Sequence, residues 1–167
     1  MIVLGIVGWS GSGKTTLIEA VIPHLVAASL DVATVKHAHH RFDMDRPGKD
    51  SYRHRAAGAR QTLVVSDTRW ALLTEEAQPP LADLIGRLAP ADIVLVEGYR
   101  GEAFDKLEVW REERGGDVLY PEDNHIQAVI SDTVNLPAPL DARPLLPLGD
   151  PEAVAHYIKG LTAGEAQ

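Results

Sequence analysis

The clearest chemical signal in the sequence lies close to the N-terminus, in residues 8–15. This stretch is Gly-Trp-Ser-Gly-Ser-Gly-Lys-Thr, which fits the phosphate-loop pattern of a glycine, four free positions and Gly-Lys-Ser/Thr. The backbone N–H groups of such a loop surround phosphate oxygens, so its three glycines keep bulky side chains away. Lys14 would bring a cation to the β- and γ-phosphates, and the Thr15 hydroxyl could ligate Mg²⁺. We therefore predict a site for a nucleotide and its metal ion.

The segments on either side of this loop support that prediction. Residues 2–7 are apolar and rich in β-branched side chains, which is typical of a buried strand. Residues 15–28 place apolar side chains on one stripe and indicate a helix whose positive end faces the phosphates. Pro23 should kink or split that helix, because it removes one backbone hydrogen bond. Strand, glycine loop and helix form the required context, and a plain glycine-rich turn is the alternative.

Length and composition indicate one globular domain. The chain has 167 residues, of which 45% are apolar and 24% are charged, so we predict a single domain over residues 1–167. The sequence contains no cysteine, which excludes disulfides and thiolate metal sites and fits a cytoplasmic location. The apolar run at the N-terminus is too short for a signal peptide or a membrane span, so we expect no membrane partner.

Charge is distributed unevenly along the chain. The net charge of −8 argues against nucleic acid as a partner. Residues 36–60 nevertheless contain seven Lys or Arg, three Asp and four of the seven histidines, which gives this segment a net charge of +4. The segment follows a predicted strand at 31–35, and the carboxyl ends of parallel strands line the ligand crevice of open α/β sheets. We therefore expect a second anionic group to bind there.

Three interpretations of the histidines in this segment stay open. The histidines concerned are His37, His39 and His40. They could contact a phosphate or a pterin beside Lys36, they could bind a metal ion together with Asp43 or Asp45, or they could belong to a solvated loop without a ligand. Asp43 or Asp45 could alternatively reach Mg²⁺ through a water molecule.

A second acidic candidate ends a strongly apolar strand. Residues 93–96 are four consecutive apolar β-formers followed by Glu97, an arrangement that resembles the Walker B strand. At the carboxyl end of a parallel strand, Glu97 would hold a Mg²⁺-bound water or orient an attacking water. Lys14 and Glu97 are therefore the predicted catalytic residues, with Thr15, Glu97 and Asp45 as metal ligands. A surface glutamate at the end of a strand is the alternative.

Further strands are predicted in the middle and second half of the chain. Two short runs at 61–66 and 69–74 are tightly joined and indicate an antiparallel hairpin. The run at 106–111 alternates polar and apolar residues, so one face of that strand should be exposed to solvent. A buried strand at 126–130 is followed by Asp132, a candidate acceptor of hydrogen bonds from a guanine base.

Helices complete the expected fold. They are predicted at residues 50–59, 81–88 and 151–161, the last of them capped by Asp150. Residues 135–147 contain four prolines and should form an extended covering segment. The order of elements predicts an α/β fold with a mostly parallel central sheet flanked by helices and an added antiparallel hairpin.

Several runs together resemble one known family, the MobB adaptors of molybdopterin-guanine dinucleotide biosynthesis, which belong to the P-loop NTPase superfamily. The runs are residues 8–17, Lys36-His37-x-His39-His40, Asp45-x-Pro47-Gly48-Lys49-Asp50-Ser51, Ala57-Gly58-Ala59 and Val96-Glu97-Gly98-Tyr99. The phosphate loop alone would indicate only the superfamily. The resemblance extends from the N-terminus to about residue 132, and Trp9 stands where related ATPases carry an extra signature lysine.

This resemblance implies a GTP-binding protein with weak hydrolysis that forms homodimers. Its partner would be the molybdenum cofactor guanylyltransferase, which joins GMP to molybdopterin. The phosphates would be held by Gly8, Trp9, Ser10, Gly11, Ser12, Gly13, Lys14, Thr15 and Thr16. The resemblance further implies that Thr15 ligates Mg²⁺ and that Glu97 is the acid of the metal site. The segment from Lys36 to Ser51, with His37, His39, His40 and Lys49, would contact molybdopterin or the partner enzyme.

Two other functions are compatible with the same motifs. A small-molecule kinase would use the basic segment to hold an acceptor phosphate, but residues 100–125 are acidic and offer no arginine-rich lid. A metal-insertion GTPase would use the histidine run, but it would need more ligands than that run supplies, and the sequence has no thiolates. The adaptor is therefore the favoured prediction.

Overall fold

The computed structural model describes residues 1–38 and 44–164, which form two compact units. The larger unit combines Met1–His37 with Ile85–Gln167, and the smaller unit is Ala38–Leu84. The single domain over residues 1–167 stays a prediction. His39, His40 and Asp43 lie outside the described residues.

Most predicted elements are present in the structure. The strands are β1 (Ile2–Val7), β2 (Val32–Lys36), β3 (Gln61–Val65), β4 (Trp70–Thr74), β5 (Ile93–Glu97), β6 (Lys106–Trp110), β7 (Ile126–Ser131) and β8 (Leu145–Pro147). The helices are α1 (Lys14–Ala27), α2 (Asp50–Ala56), α3 (Leu81–Ile85) and α4 (Pro151–Ala163). Among these, no helix is long and apolar enough to cross a membrane.

Six strands of the larger unit form a parallel sheet in the order β2-β5-β1-β6-β7-β8. Because all neighbours run parallel, the carboxyl ends of β1, β2 and β5 lie at the same edge. The phosphate loop follows β1 at this edge, while Lys36 and Glu97 end β2 and β5. The α/β fold with a mostly parallel sheet, flanking helices and a separate hairpin is therefore confirmed.

Helices α1 and α4 pack on one face of this sheet and enclose an apolar core. Buried side chains of α1, including Leu17, Val21 and Leu25, contact those of β1, β5 and α4. Helix α1 runs through Pro23 as one helix, so the predicted split does not occur. Asp150 caps α4 as predicted, because its carboxylate accepts a hydrogen bond from the Ala153 N–H at 3.0 Å.

The second face of the sheet is covered by irregular segments that are held by buried charges on β6. Lys106 donates to Asp123 at 2.6 Å, and Glu108 accepts from the N–H groups of Leu119 and Tyr120 at 2.8 and 3.0 Å. The prediction of a solvent-exposed face on this strand is wrong, because β6 lies between β1 and β7 and all five of its residues are buried. Its alternating charges bind neighbouring loops instead of water.

The smaller unit contains helix α2 and the antiparallel hairpin of β3 and β4. The register pairs Leu63 with Leu72 and Val65 with Trp70, and alternation places these four side chains on one face of the hairpin. They are between 50% and 68% exposed. We call this surface, made of Leu63, Val65, Trp70 and Leu72, the hairpin face.

Candidate nucleotide-binding site

The chain turns sharply where β1 ends, and the turn requires a glycine. Gly8 adopts φ +140°, and a Cβ atom at this position would lie 2.3 Å from the carbonyl oxygen of Val109 on β6. No side chain fits there, so the loop passes directly over the neighbouring strand. Helix α1 then begins at Lys14, and its N-terminal N–H groups face the concave side of the loop.

Two polar groups of the loop fit an anionic ligand. Ser12 is 2% exposed, and its hydroxyl has no hydrogen-bond partner within the described residues. Buried hydroxyls are normally paired, so this one fits a loop that surrounds phosphate oxygens. The Lys14 ammonium donates to the carbonyls of Gly8 and Trp9 at 2.9 and 2.8 Å, which holds it above the loop.

Electrostatics at Lys14 are set by burial and by two neighbours. Burial lowers the pKa of Lys14, the Glu97 carboxylate raises it, and the Lys36 ammonium lowers it again, with a net decrease from the ordinary value. A partly desolvated cation gains more from a phosphate than a fully solvated one would, because its charge is less well screened.

Thr15, Glu97 and Lys36 form a connected cluster beside the loop. The Thr15 hydroxyl donates to Glu97 Oε1 at 2.8 Å. The Lys36 ammonium lies 3.1 Å from both the Thr15 hydroxyl and Glu97 Oε1, and 3.2 Å from Glu97 Oε2. The structure thus brings together two predicted metal ligands and the first residue of the basic segment.

The chain segments that leave β2 and β5 are fixed to each other. The His37 N–H donates to the Glu97 carbonyl at 2.9 Å, and the His37 ring lies 4.6 Å from the ring of Tyr99. Gly98 adopts φ +99°, and a Cβ atom there would approach His37 Cβ to 3.0 Å. This close approach positions the Glu97 carboxylate relative to Lys36.

The donor set at this cluster suits Mg²⁺. Mg²⁺ prefers oxygen ligands at about 2.0–2.1 Å in an octahedron, so neighbouring ligand oxygens lie about 3 Å apart. The hydroxyl of Thr15 and the carboxylate of Glu97 are oxygen donors of this kind, and their 2.8 Å separation is close to that spacing. In residues 1–38 and 44–164 no group of three or more His, Cys, Asp or Glu side chains gathers as an alternative metal site.

Other predicted site residues are placed elsewhere or engaged by protein groups. Asp132 follows β7 and accepts from Arg111 Nε and from the Glu112 N–H, both at 3.1 Å. Burial alone would raise the pKa of Asp132, but these hydrogen bonds outweigh it and lower the pKa. Asp45 accepts from the Ser51 hydroxyl at 2.8 Å and belongs to the smaller unit, as does Lys49. Their roles at the nucleotide stay predictions.

Two features of the site were not predicted from the sequence. The contacts of Lys36 follow from the pairing of β2 with β5, in which Lys36 is the register partner of Glu97. Trp9 is fixed by its indole N–H, which donates to the Asp117 carbonyl at 2.6 Å, and by the guanidinium of Arg100, which lies 4.7 Å from its ring centre. The sequence shows that each of the two strands ends in a charged residue, but it gives no signal for the pairing that joins Lys36 to Glu97.

Comparisons with known proteins identify the family of this chain. A family model described as MobB, molybdopterin guanine dinucleotide synthesis protein B, matches residues 3–132. A molybdopterin-guanine dinucleotide biosynthesis adapter protein of Escherichia coli strain K12 is 42% identical over 93% of this chain and 90% of that protein. The adapter protein of Haemophilus influenzae is 39% identical over 93% of this chain and 86% of that protein.

A solved structure has the same fold. The crystal structure of a MobB protein homolog from Bacillus stearothermophilus matches with a TM-score of 0.75 and 29% identity, covering 98% of this chain and 99% of that one. The family model matches more than half of the chain, and the curated relatives match over nearly their whole length. The chain therefore belongs to the MobB family.

Proposed function

We propose that this protein is an adapter of molybdopterin-guanine dinucleotide biosynthesis that binds GTP with Mg²⁺ at the loop of residues 8–15. The names of the curated relatives support the adapter role. The observation that carries the nucleotide proposal is the 2.8 Å contact between the Thr15 hydroxyl and Glu97 beside that loop. It brings the two expected metal ligands together at the N-terminus of α1.

Each group of the site has a defined task in this proposal. The loop and the N–H groups of α1 bind the phosphates, and Lys14 neutralises the terminal ones. Thr15 and Glu97 would hold Mg²⁺, which supplies positive charge to the phosphate oxygens when it is bound. Slow hydrolysis is expected, because a Glu97 carboxylate that holds Mg²⁺ is poorly available as a base for water.

The same proposal includes a preference for a guanine nucleotide and a second ligand at the basic segment. The nucleotide joined in the named pathway is a guanine nucleotide, which supports GTP over ATP. Asp132 is the candidate acceptor for the base. Lys36, His37, His39, His40 and Lys49 are the candidates for contacting molybdopterin or the guanylyltransferase in the cytoplasm, because their segment has a net charge of +4.

The nucleotide site is tested by the variant Lys14→Ala. Removing the ammonium should weaken binding of GTP with Mg²⁺ by about 100-fold, as expected for truncating one partner of a desolvated charge pair. Isothermal titration calorimetry measures this loss, and Lys159→Ala on the exposed side of α4 is the matched control that removes the same charge. Unchanged GTP affinity in Lys14→Ala would show that nucleotide binds elsewhere or not at all.

The same titration, repeated with ATP, tests the choice of nucleotide, and equal affinities for GTP and ATP would contradict the guanine preference. A phosphate-transfer assay tests the type of activity. Rapid transfer of the γ-phosphate to a small-molecule acceptor would indicate a kinase instead of an adapter.

We further propose that the protein is a homodimer whose subunits meet at the hairpin face. Strands β3 and β4 pair only with each other in the described chain, and a two-stranded sheet gains little stability without a covering layer. The neighbouring positions on this face, Gln61 and Thr74, are also uncharged, so a second copy could cover it without repulsion between like charges.

The variant Trp70→Glu tests this contact. A charge on the hairpin face should raise the dimer dissociation constant more than about tenfold, because large aromatic side chains dominate interface energies. Sedimentation velocity measures the shift from dimer to monomer. Val134→Glu, at a residue that is 80% exposed in the larger unit, is the matched control and should leave the dimer intact. A monomeric wild-type protein would contradict the proposal.

A further inference from the structure

The Lys36 ammonium contacts the same oxygens that are expected to bind the metal ion. Its three N–H donors meet three acceptors, namely both carboxylate oxygens of Glu97 and the Thr15 hydroxyl, at 3.1 to 3.2 Å. A protonated amine in this position neutralises the carboxylate and holds both ligand side chains in place.

The backbone imposes this arrangement. Lys36 and Glu97 are register partners at the last positions of two neighbouring parallel strands, so their side chains leave the sheet on the same side. Thr15 reaches them from the first turn of α1. The backbone therefore places the three groups within reach of one another.

The two ends of this contact differ in exposure. The Glu97 side chain is 15% exposed, whereas the Lys36 side chain is 59% exposed. The carboxylate is thus held within the site, while the lysine lies along its open side with room to move. An exposed ammonium on a flexible stem can leave an ion pair at low cost.

We propose that Lys36 is an internal counter-ion of the metal site, which occupies the oxygens of Thr15 and Glu97 in the metal-free protein and must release both when a divalent cation binds. This inference rests on the proposed function. Mg²⁺ and the ammonium compete for the same oxygens, so metal binding frees the Lys36 ammonium from both of them. Lys36 is then a positioning residue that holds the two ligand side chains ready for the metal ion.

If Lys36 and the metal ion compete, the variant Lys36→Met should lower the stability of the metal-free protein and raise its affinity for the metal ion. Without metal or nucleotide, the variant should be less stable than the wild type, because Glu97 loses its counter-ion. With GTP present, the variant should bind Mn²⁺ more tightly by roughly two- to fivefold, the equivalent of one exposed ion pair that no longer needs to be broken. Lys159→Met removes an equal charge from the exposed side of α4 and should change neither quantity.

Two measurements carry the test. Urea unfolding in EDTA gives the metal-free stability of wild type, Lys36→Met, Glu97→Gln and the double variant, and a double-mutant cycle should show that the two side chains are coupled. Electron paramagnetic resonance of free Mn²⁺ gives the metal affinity with GTP. A lower or unchanged Mn²⁺ affinity in Lys36→Met would contradict the competition between Lys36 and the metal ion. Additive stability changes in the double-mutant cycle would contradict it as well.

The unfolding cycle in EDTA and the Mn²⁺ binding measurement distinguish a failure of this inference from a failure of the proposed function. If the wild type does not bind Mn²⁺ with GTP, the proposed nucleotide site fails, while the cycle in EDTA still reports on the contact. If the wild type binds both but Lys36→Met weakens GTP binding in EDTA and leaves Mn²⁺ affinity unchanged, Lys36 is a phosphate ligand and the counter-ion proposal is wrong.

Discussion

Gly8→Ala should abolish measurable GTP binding and lower the free energy of unfolding by about 3 kcal/mol. The new methyl group would lie 2.3 Å from the Val109 carbonyl, and φ +140° is itself unfavourable for alanine. Since the oxygen belongs to the backbone of a central strand, it cannot yield as a flexible side chain would. The loop must therefore move away from β6, and its N–H groups lose their common orientation.

A control variant at a second glycine distinguishes the effect of the steric clash from the effect of the backbone strain. Gly164 also has a positive φ, +73°, but a Cβ atom there would meet nothing within 4 Å among the residues that the structure describes. Gly164→Ala should therefore cost only about 1 kcal/mol and keep full GTP affinity. Chemical denaturation and calorimetry on both variants provide the comparison. If Gly8→Ala retains GTP affinity, the loop does not bind the nucleotide in the conformation described above.

Asp123→Ala should lower the free energy of unfolding by about 3 kcal/mol, because it leaves the buried Lys106 ammonium without its carboxylate. The Lys106 side chain is 2% exposed, and its remaining described hydrogen bond is to the Arg100 carbonyl at 3.0 Å. Glu122→Ala removes a neighbouring exposed carboxylate and should cost less than about 0.5 kcal/mol. Equal losses in the two variants, measured by urea unfolding, would contradict the importance of the buried pair.

The same pair predicts part of the acid sensitivity of the fold. Burial alone would raise the pKa of Asp123, but the hydrogen bonds from Lys106 and the His125 N–H lower it below the ordinary value. A lowered pKa contributes stability that is present above the unfolded-state pKa of about 4 and is lost as the pH falls through the folded-state pKa. Asp123→Ala should therefore lose less stability than the wild type on acidification from pH 5 to pH 3.

The sequence was most informative where local chemistry decides the structure. The glycine loop between an apolar strand and a helix, and the apolar strand that ends in Glu97, have patterns that few other structures satisfy. The hairpin was likewise evident from two β-rich runs with a short connection. Helix ends were less certain, since α2 ends at Ala56 and α3 at Ile85, three residues before the predicted ends.

Features that depend on contacts between distant parts of the chain could not be predicted in the same way. Alternating charges on β6 indicated a solvent-exposed face, because the sequence does not show that loops 11 to 17 residues away provide partners for Glu108 and Lys106. Strand β8 lies within the proline-rich segment for which the sequence predicts an extended covering segment and no strand pairing. The contact between Lys36 and Glu97 could not be predicted, because it requires knowledge of which strands are neighbours.

The three tryptophans are placed so that each one reports on a different event by its fluorescence. Trp9 lies in the phosphate loop, Trp70 is on the hairpin face, and Trp110 is buried on β6. Emission from Trp9 should change on nucleotide addition, because stacking with Arg100 and the hydrogen bond to Asp117 both depend on the loop. Single-tryptophan versions of the chain would thus allow ligand binding, association and unfolding to be followed separately, without an added dye.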